Sequence, residues 1–337
     1  MLRRILAAAF LVLLGLALLL VAWPQLANLS RTDGFVQAVS LRGLAIAGAA
    51  VGIVSLGFIA VLAVPIRRFA ASIAVLLLAF CLVNLAVLST RGFGSLAFET
   101  PGESTVTVLA WNTLGDAPGA EAIAELALDS EAEIVALPET TRATATEAAA
   151  LMTAAGTPMT SLTVFFDEIS KARSTSVLIS ETLGAYAVDT GSGNSAVLPT
   201  LIATPVDGTG PTIVSVHLVA PVRGEMDNWR SDLEWIPDAC SGENVIMAGD
   251  FNATLDHFGG LATEDGAVLG RCADAAAATD NAAVGTWPTV LPSLVAAPID
   301  HIMATDNWRV AGMRVIENYD GYGSDHRPVL ADLVPAG

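Results

Sequence analysis

Three long, uncharged, apolar runs fill the first 90 residues and constrain the fold of this chain more than any other feature. They lie at about 5–23, 43–66 and 69–90. Crossing the roughly 30 Å of hydrocarbon in a bilayer takes about 20 helical residues, and each run meets that length. Because backbone polar groups in lipid must pair within their own segment, each run is expected to be a helix. The sequence therefore predicts three transmembrane helices in residues 1–90. Three buried core helices are the alternative.

Arginine placement predicts how these helices are oriented. Two pairs flank the apolar runs, namely Arg3 with Arg4 and Arg67 with Arg68. Positive charge favours the cytoplasmic side, which places 24–42 and the whole C-terminal part outside. Arg31, Arg42 and Arg91 lie on that outer side and weaken the bias. The chain is thus expected to be a multi-pass protein of the cytoplasmic membrane with an extracytoplasmic domain. The first run could also be a cleaved signal peptide, which leaves the domain on the same side.

The charge distribution divides the chain into two parts. Residues 1–90 carry six arginines and one acid, whereas 91–337 carry ten basic groups and 33 acids. The acidic part is long enough to bury a full core. Its charge disfavours unspecific binding to nucleic acid, which depends on Lys and Arg. Gly and Ser recur in 91–103, which predicts a linker, and 104–337 is expected to be a separate domain.

Strand and helix patterns mix in the acidic part. Helical periodicity occurs at 121–128, 142–155 and 224–239. Strand patterns occur at 104–112, 133–137, 174–179, 197–203, 212–217, 244–247, 299–304, 308–316 and 328–333. Many strands with few helices predict packed sheets flanked by helices.

Cys240 and Cys272 are compatible with a disulfide or with two free thiols, and Cys81 is expected to be an inert apolar residue of the third run.

Polar residues interrupt these strands at their ends. The positions are Asn112, Glu139, His217, Asp250, Asn252, Asp300, Asp325 and His326. Loops at the ends of rigid strands are where functional sites are commonly built. Carboxylate, amide and imidazole groups that converge there suit a hard divalent cation and a phosphate.

Four of these features together resemble the endonuclease/exonuclease/phosphatase superfamily, which has the deoxyribonuclease-I-like fold. They are the segments GDFN and SDHRPV, the Glu after a short apolar strand, and the Asn that ends the first strand. The resemblance covers about 104–335. It implies an α/β (α+β) fold, a four-layer α/β/β/α sandwich of two mixed sheets. It also implies a metal-dependent phosphoric ester hydrolase that uses Mg²⁺ or Mn²⁺.

The resemblance also assigns roles to the polar residues around the expected metal. Glu139 is the main metal ligand, and Asn112 helps to hold the metal or the phosphate. Asp325 lies near the metal and is a candidate ligand of a second ion. Asp250 orients or deprotonates the attacking water, and Asn252 binds the phosphate. This set agrees with phosphoester chemistry, which needs a metal to neutralise oxygen charge and a base to activate water.

Two histidines complete the expected catalytic set. By resemblance, His326 contacts the scissile phosphate and is oriented by Asp300. His217 resembles a second histidine that assists the phosphate or the leaving group.

Other residues are interpreted as structural, and two departures from the family narrow the substrate. His301 is expected to be structural, His257 to lie on a loop surface, and Trp287 to pack rather than to stack on substrate. Leu114 stands where abasic-site endonucleases carry an acid, and 299–302 reads Ile-Asp-His-Ile where inositol-polyphosphate phosphatases use a Trp-Cys-Asp-Arg-type segment. Neither specialised branch is supported.

The sequence favours a membrane-anchored, metal-dependent phosphodiesterase or phosphatase. Three spans exceed what tethering requires, which favours a phospholipid, a polyprenyl phosphate or an envelope glycolipid as substrate. The first alternative is an extracytoplasmic nuclease. The acidic charge opposes it, although an arginine patch of Arg223, Arg230 and Arg327 would offset that charge. The second alternative is a binding module without activity, which the complete polar set disfavours. The oligomeric state stays open.

Overall fold

The computed structural model describes residues 1–102, 104–167, 169–191 and 197–336. Glu103, the last residue of the expected linker, and Gly337, the last residue of the expected domain, lie outside the described residues.

Three long helices occupy the apolar N-terminal runs, as the sequence predicts. The N-terminal helices are α1 (Leu2–Ala22), α2 (Phe35–Ser40), α3 (Arg42–Leu62) and α4 (Arg67–Arg91). By length and composition, the three long ones are able to cross a membrane. Helix α4 packs against both α1 and α3, and large apolar side chains on the outside of the bundle are exposed. An exposed apolar surface of this extent is typical of helices that face lipid.

The remaining described residues form two sheets and their flanking helices. The strands are β1 (Val106–Ala110), β2 (Ile134–Pro138), β3 (Met159–Phe165), β4 (Ser174–Ser180), β5 (Tyr186–Val188), β6 (Leu201–Pro205), β7 (Thr212–His217), β8 (Val245–Asp250), β9 (Val268–Leu269), β10 (Cys272–Asp274), β11 (Asp300–Thr305), β12 (Trp308–Val315) and β13 (Val329–Pro335). The helices are α5 (Gly119–Asp129), α6 (Arg142–Ala154), α7 (Met226–Ala239), α8 (Leu255–Phe258) and α9 (Ala275–Ala278).

Both sheets are mixed, which confirms the predicted fold class. The first has the order β12-β13-β1-β2-β4-β3, and the second has the order β5-β6-β7-β8-β11-β10-β9. Strands β1 and β2 are parallel, as are β7 and β8, while their other neighbours are antiparallel. Each sheet therefore has a central parallel pair, and the carboxyl ends of each pair meet at one edge.

The two faces of the central strands pack into different cores. Val108 and Ala110 of β1 lie in the large core that the two sheets share. Leu109 and the residue after the strand, Trp111, point the other way and pack with α5 and α6. This alternation follows from the two-residue period of a strand. Helix α7 covers the second sheet with Trp229 and its apolar neighbours, which completes four layers.

Several elements of the fold were not predicted, namely strands β3, β5, β9 and β10 and helices α2, α8 and α9. Strand β3 pairs only with β4 in its sheet, and its side chains are mostly half-buried. An edge strand of this kind has a weak apolar signal in the sequence. Helix α2 lies within 24–42, where no helix or strand was predicted, and its Val36 is buried in the core of the domain.

Cys240 and Cys272 form a disulfide. Cys240 follows the last turn of α7, and Cys272 opens β10. The bond therefore ties a covering helix to β10, the strand next to the edge of the second sheet. It decides between the two alternatives that the sequence left open.

The chain after α4 lies against the domain. Gly94 N–H donates to the carbonyl of Asp280 over 3.0 Å, and Glu99 N–H donates to the carbonyl of Ala311 over 3.0 Å. Ser95 N–H donates to Asn281 Oδ1 over 3.1 Å. The first part of 91–103 thus runs along the domain surface rather than hanging between two bodies.

One buried carboxylate joins the three long N-terminal helices to the domain. Asp256, in α8, accepts two hydrogen bonds from Arg42 at 2.7 and 2.9 Å and one from Arg91 at 2.8 Å. Gln25 donates to it as well, over 3.0 Å. Arg42 also donates to the carbonyl of Ala22, the last residue of α1, over 2.8 Å. The domain-proximal ends of α1, α3 and α4 therefore meet at one point.

The prediction that His257 lies on a loop surface is wrong. Its ring is fully buried, its Nδ1 accepts from Thr254 N–H at 2.8 Å, and its Nε2 lies 3.2 Å from the carbonyl of Val36 in α2. Burial lowers the pKa of His257 to about 4. The covering residues come from a helix 221 positions away in the chain, so the local sequence carried no sign of this burial.

Candidate active site

Three adjacent strands place three candidate residues side by side. In the parallel pair of β7 and β8, His217 is opposite Asp250. In the antiparallel pair of β8 and β11, Asp300 is opposite Asp250. All three side chains are buried. Asp250 is thus the central residue of a polar row at one end of the second sheet.

The first sheet brings two more polar residues to the same end. Asn112 follows β1 and Glu139 follows β2, and these neighbouring parallel strands end together. Asn112 Nδ2 donates to Glu139 Oε1 at 3.2 Å and to Asp250 Oδ2 at 3.0 Å. This amide therefore joins the two sheets across the site. Glu139 has a φ of +57°, a backbone conformation that is uncommon for a non-glycine residue and often marks a functional position.

Asp250 is fixed by the chain that follows it. Its Oδ1 accepts from Asn252 N–H at 2.8 Å, and its Oδ2 accepts from Asn252 Nδ2 at 3.1 Å. Asn252 Nδ2 also donates to the carbonyl of Leu218 over 2.9 Å. Burial raises the pKa of Asp250, and the negative charge of Asp300 adds to that effect against the opposing charge of His326. A carboxylate with a raised pKa is suited to accept a proton near neutral pH.

His326 and Asp300 form a buried imidazole–carboxylate pair. His326 Nδ1 lies 2.9 and 3.1 Å from the two carboxylate oxygens of Asp300. Its Nε2 lies 3.8 Å from Asp250 Oδ2 and 4.0 Å from Asp325 Oδ1. Burial lowers the pKa of His326, but Asp300 and Asp250 outweigh burial and raise it well above its ordinary value. The ring is therefore protonated at neutral pH, with Nε2 directed into the site.

The ring of His217, unlike that of His326, is neutral at neutral pH. Its Nε2 lies 3.8 Å from Glu139 Oε1. Burial, followed by the positive charge of His326, lowers its pKa to about 3. The site thus combines a cationic imidazole with a neutral one.

Trp287, interpreted from the sequence as a packing residue, stands at the site. Its side chain is 36% exposed, and its indole N–H donates to Asp325 Oδ2 over 2.8 Å. Thr289 N–H also donates to the carbonyl of Asp325, over 2.9 Å. The segment around Trp287 therefore orients an acid that the sequence places near a metal.

The family model described as the endonuclease/exonuclease/phosphatase family matches residues 109–326, which is more than half of the chain. The chain belongs to this family. Every candidate site residue lies within or at the end of the matched range. Members of the family are typically phosphoester hydrolases. No curated protein matches the chain.

Solved structures of low sequence identity share the fold. A family member from Beutenbergia cavernae has a TM-score of 0.51 at 18% identity and covers 70% of this chain and 72% of its own. A member from Bacteroides thetaiotaomicron has a TM-score of 0.51 at 15% identity, over 71% of this chain and 100% of its own. The 3′ phosphatase NExo from Neisseria, bound to a product DNA hairpin, has a TM-score of 0.50 at 15% identity, over 67% and 98% of the chains.

The donor set of this family member fits a divalent cation. Burial raises the pKa of Glu139, and the charge of Asp325 adds to it. Asp325 Oδ1 is buried and has no hydrogen-bond partner among the described residues. A cation between these carboxylates would relieve both costs, and oxygen ligands of this type suit Mg²⁺ or Mn²⁺.

A second acidic cluster of the site is less suited to a cation. Ligand atoms of Asp250, Asp300 and His326 lie within 4.8 Å of one another. However, both carboxylate oxygens of Asp300 already face His326 Nδ1. A metal on Asp300 would have to displace this pair, so the cation is better placed beside Glu139 and Asp325.

Sequence reasoning noted Ser324 beside Asp325 and His326 but gave it no role, whereas in the structure it links two segments of the candidate site. Its hydroxyl donates to the carbonyl of Asn112 at 2.6 Å and accepts from His326 N–H at 3.0 Å. Its position directly before Asp325 and His326 in the SDHRPV segment was the available signal. The side chain fixes the loop that carries both residues.

Arg327 does not belong to an exposed arginine patch. Arg327 is 1% exposed and pairs with Asp320 at 2.6 Å. Arg230 donates to Asp227 and to the carbonyl of Arg31, at 2.7 and 3.0 Å. Arg327 follows His326 and points into the domain, because its guanidinium satisfies loop carbonyls there. It contributes no positive charge to the surface around the site.

Proposed function

We propose that the protein is a membrane-anchored, divalent-metal-dependent phosphoesterase that uses water as the nucleophile. One observation carries the proposal. Asn112 bridges Glu139 and Asp250 while the protonated His326 faces Asp250. The proposed cation ligand Glu139, the candidate base Asp250 and the imidazolium of His326 thus lie together. They meet at the carboxyl ends of the two parallel strand pairs.

The residues divide the reaction between them. A bound Mg²⁺ or Mn²⁺, held by Glu139, Asp325 and Asn112, would neutralise charge on the phosphate oxygens. Asp250 accepts a proton from the attacking water, whose oxygen forms the new bond to phosphorus. The ester P–O bond breaks, the leaving oxygen takes up a proton, and one water is consumed.

Four further residues support this reaction. His326 donates from Nε2 to a phosphate oxygen, and Asp300 positions and charges its ring. Asn252 holds the Asp250 carboxylate and adds a donor beside it, while the neutral His217 assists the phosphate or the leaving group. Preorganised donors of this kind lower the cost of charge that develops in the transition state.

The same proposal divides the chain into a membrane anchor at 1–90, a connecting segment at 91–103 and a catalytic domain at 104–337. Arg31, Arg42 and Arg91 are engaged in hydrogen bonds with the domain. The four other N-terminal arginines are exposed at the far end of the helices, namely Arg3, Arg4, Arg67 and Arg68. This distribution supports a cytoplasmic far end and an extracytoplasmic domain, and so does the disulfide.

The structure gives the nuclease alternative little support. A nuclease needs positive charge to hold a polyanion, and the proposed arginine patch contains a buried Arg327. One structural relative is a phosphatase bound to DNA, but a likeness at this identity concerns the fold.

Metal dependence and the assignment of Glu139 are tested together. The full-length protein in detergent is assayed on p-nitrophenyl phosphate and bis(p-nitrophenyl) phosphate with Mg²⁺ or Mn²⁺. We expect hydrolysis of at least one ester, its loss with EDTA, and its return on adding metal. Glu139→Gln should lower kcat by about 10²-fold or more, whereas the exposed Glu147→Gln should not. Activity that survives EDTA would refute the metal requirement.

A further inference from the structure

One wall of the candidate site is an uncharged loop that extends to the N-terminal helices. Residues 287–294 read WPTVLPSL, and no charged residue occurs between Asp280 and Asp300. At one end of the loop, Trp287 donates to Asp325 over 2.8 Å. At the other end, Leu294 contacts the first turn of α3 so closely that a Cβ at Gly43 would overlap its carbonyl. The loop therefore spans the distance from the catalytic residues to the anchor.

Three of the four large apolar side chains of this loop are exposed, while that of Leu291 is half-buried. Trp287 is 36% exposed, Val290 86% and Leu294 51%. An apolar strip beside a functional site indicates a surface that is covered by another apolar phase.

A second exposed apolar residue is tied to the anchor on another side of the site. Val222, in the loop that follows His217, is 52% exposed. Gln37 of α2 donates to the carbonyl of the preceding residue, Pro221, over 2.8 Å. Both loops thus combine proximity to the site with a contact to the anchor.

The position of the bilayer follows from the ends of the spans. Helices α1 and α4 end at the Asp256 junction, and α3 begins there. Trp23, directly after α1, is 50% exposed, and such aromatic residues favour the interface between lipid and water. The membrane surface therefore begins at this junction, only a few residues along the chain from Asp250 and beside Leu294.

We propose that the loop 287–294 is seated in the adjoining leaflet and that the substrate is the phosphoester of a membrane lipid. This inference rests on the proposed function, because it names the substrate class of that site. Lipid phosphates lie at the interface. A site whose wall enters the leaflet reaches them without extracting the acyl chains into water, which would expose apolar surface at high cost. Water attacks the lipid phosphorus, the ester bond breaks, and the alcohol takes up the proton.

The seating of the loop is tested with a probe at Val290 and a matched probe at Val206. Val206 is 69% exposed and follows β6, whose pairing with β7 places it at the end of the sheet remote from His217. Val290→Cys and Val206→Cys, each with Cys81→Ala, are labelled with a fluorescent maleimide. The full chain is reconstituted in phosphatidylcholine vesicles.

We expect doxyl-labelled lipid to quench the probe at 290 and iodide in the buffer to quench the probe at 206. Equal quenching by iodide at both positions would overturn the proposal, whatever the enzymatic activity of the protein. This readout separates the seating of the loop from the proposed function, since it requires no turnover.

The substrate class is tested with Val290→Asp and Val206→Asp. Each is assayed on phosphatidic acid and phosphatidylglycerol in vesicles, and on their dihexanoyl forms as monomers in solution. Val290→Asp should lower the vesicle rate about tenfold, which corresponds to about 1.4 kcal/mol, and leave the rate on dihexanoyl lipid unchanged. Val206→Asp should change neither rate.

Each other result contradicts one claim. An equal loss of rate of Val290→Asp on the vesicle and dihexanoyl forms would refute the assignment of a membrane lipid as the substrate. Hydrolysis of the dihexanoyl forms alone would refute it as well. Hydrolysis of neither form, together with no activity on nitrophenyl esters, would refute the proposed function itself.

Discussion

The surroundings of two histidines in one site keep one ring protonated and the other neutral. His326 faces the carboxylates of Asp300 and Asp250, which raise its pKa. His217 Nε2 lies 3.8 Å from Glu139 Oε1, and burial lowers the pKa of this histidine to about 3. The difference follows from the distance to buried carboxylates, since burial alone disfavours the charged ring in both cases. Residue type therefore did not decide which imidazole carries the proton.

Asp300→Asn tests the positioning role of Asp300. An amide in this position cannot hold the His326 ring as a protonated donor, so kcat should fall about 10³-fold, as carboxylate-to-amide changes beside catalytic histidines do. Measuring kcat and KM for a nitrophenyl ester checks this, and KM should change little.

The chain provides a matched control for this change on the opposite face of β11. There, His301 Nδ1 lies 2.6 Å from Asp274 Oδ2. Asp274→Asn should lower the melting temperature of the protein and leave kcat intact at temperatures where the protein stays folded. An equal loss of kcat in both variants would contradict the role of Asp300.

At the scale of elements, the short helix α8 decides how the anchor meets the domain. It presents the buried Asp256 carboxylate to Arg42 and Arg91. Burial would raise the pKa of Asp256, but the two arginines outweigh burial and hold it far below its ordinary value. The next residue, His257, closes the same junction against α2. One turn of helix thus contacts elements that lie between 165 and 231 positions away in the chain.

Asp256→Asn should destabilise the full-length protein by about 3–5 kcal/mol, because two arginines are left partly uncompensated in a buried site. Thermal unfolding in detergent measures this effect. The control is Asp227→Asn, which removes an exposed pair with Arg230 and should leave the melting temperature unchanged. A small effect at Asp256 would show that the helices dock by apolar contact alone.

His257 makes stability depend on pH in the acidic range. Its pKa is about 4 in the folded protein against 6.5 in the unfolded chain, so the unfolded chain binds more protons between these values. Its contribution is complete above pH 6.5 and is lost as the pH falls towards 4, by about 3 kcal/mol in total. Asp256, Arg91 and Arg31 face the ring, and the low pKa of Asp256 keeps it charged throughout this window.

We expect the melting temperature of the wild-type protein to fall between pH 6.5 and 4. His257→Gln keeps hydrogen-bonding capacity without a titrating group and should show a flatter profile over the same range. Parallel profiles for the two proteins would assign the acid sensitivity to other groups.

At the scale of the whole molecule, the arginines of the N-terminal part fall into two groups. One group contacts the acidic domain, and the other lies at the opposite end of the helices. Arg31 and Arg42 of the anchor, and Arg91 directly after it, bind the domain. The four exposed arginines of the anchor lie at the far end of the bundle. The acids of the domain provide the partner at the junction and the candidate metal ligands, while most of the remainder face solvent. This arrangement predicts a single orientation in the membrane.

A reporter fused after Gly337 tests that orientation. Alkaline phosphatase, which needs an oxidising compartment, should be active there, and green fluorescent protein exported in the unfolded state should be dark. The reciprocal fusions after Arg67 should give the opposite results, since that turn is predicted to be cytoplasmic. Activity of the C-terminal reporter only in the cytoplasm would contradict the extracytoplasmic placement.

Much of this molecule could be predicted from local sequence. The apolar runs determined the three long helices by length alone, and Thr212–His217 was predicted with its observed limits. Strand-end positions of Asn112, Glu139, Asp250 and His326 were readable because each polar residue interrupts an apolar run. The roles of these residues remain proposals, although the fold brings the residues together as expected.

What only the tertiary structure decided concerns contacts between distant segments. Helix α2 covers and buries His257, and the Arg327 guanidinium points inward and donates to loop carbonyls. The Trp287 indole N–H donates to Asp325. Whether a residue is buried depends on which distant segment packs against it. That choice is set by the registers of two sheets and the docking of the anchor, which no local pattern encodes. The sequence alone determined the elements and the chemical groups, and tertiary packing decided their exposure, charge state and partners.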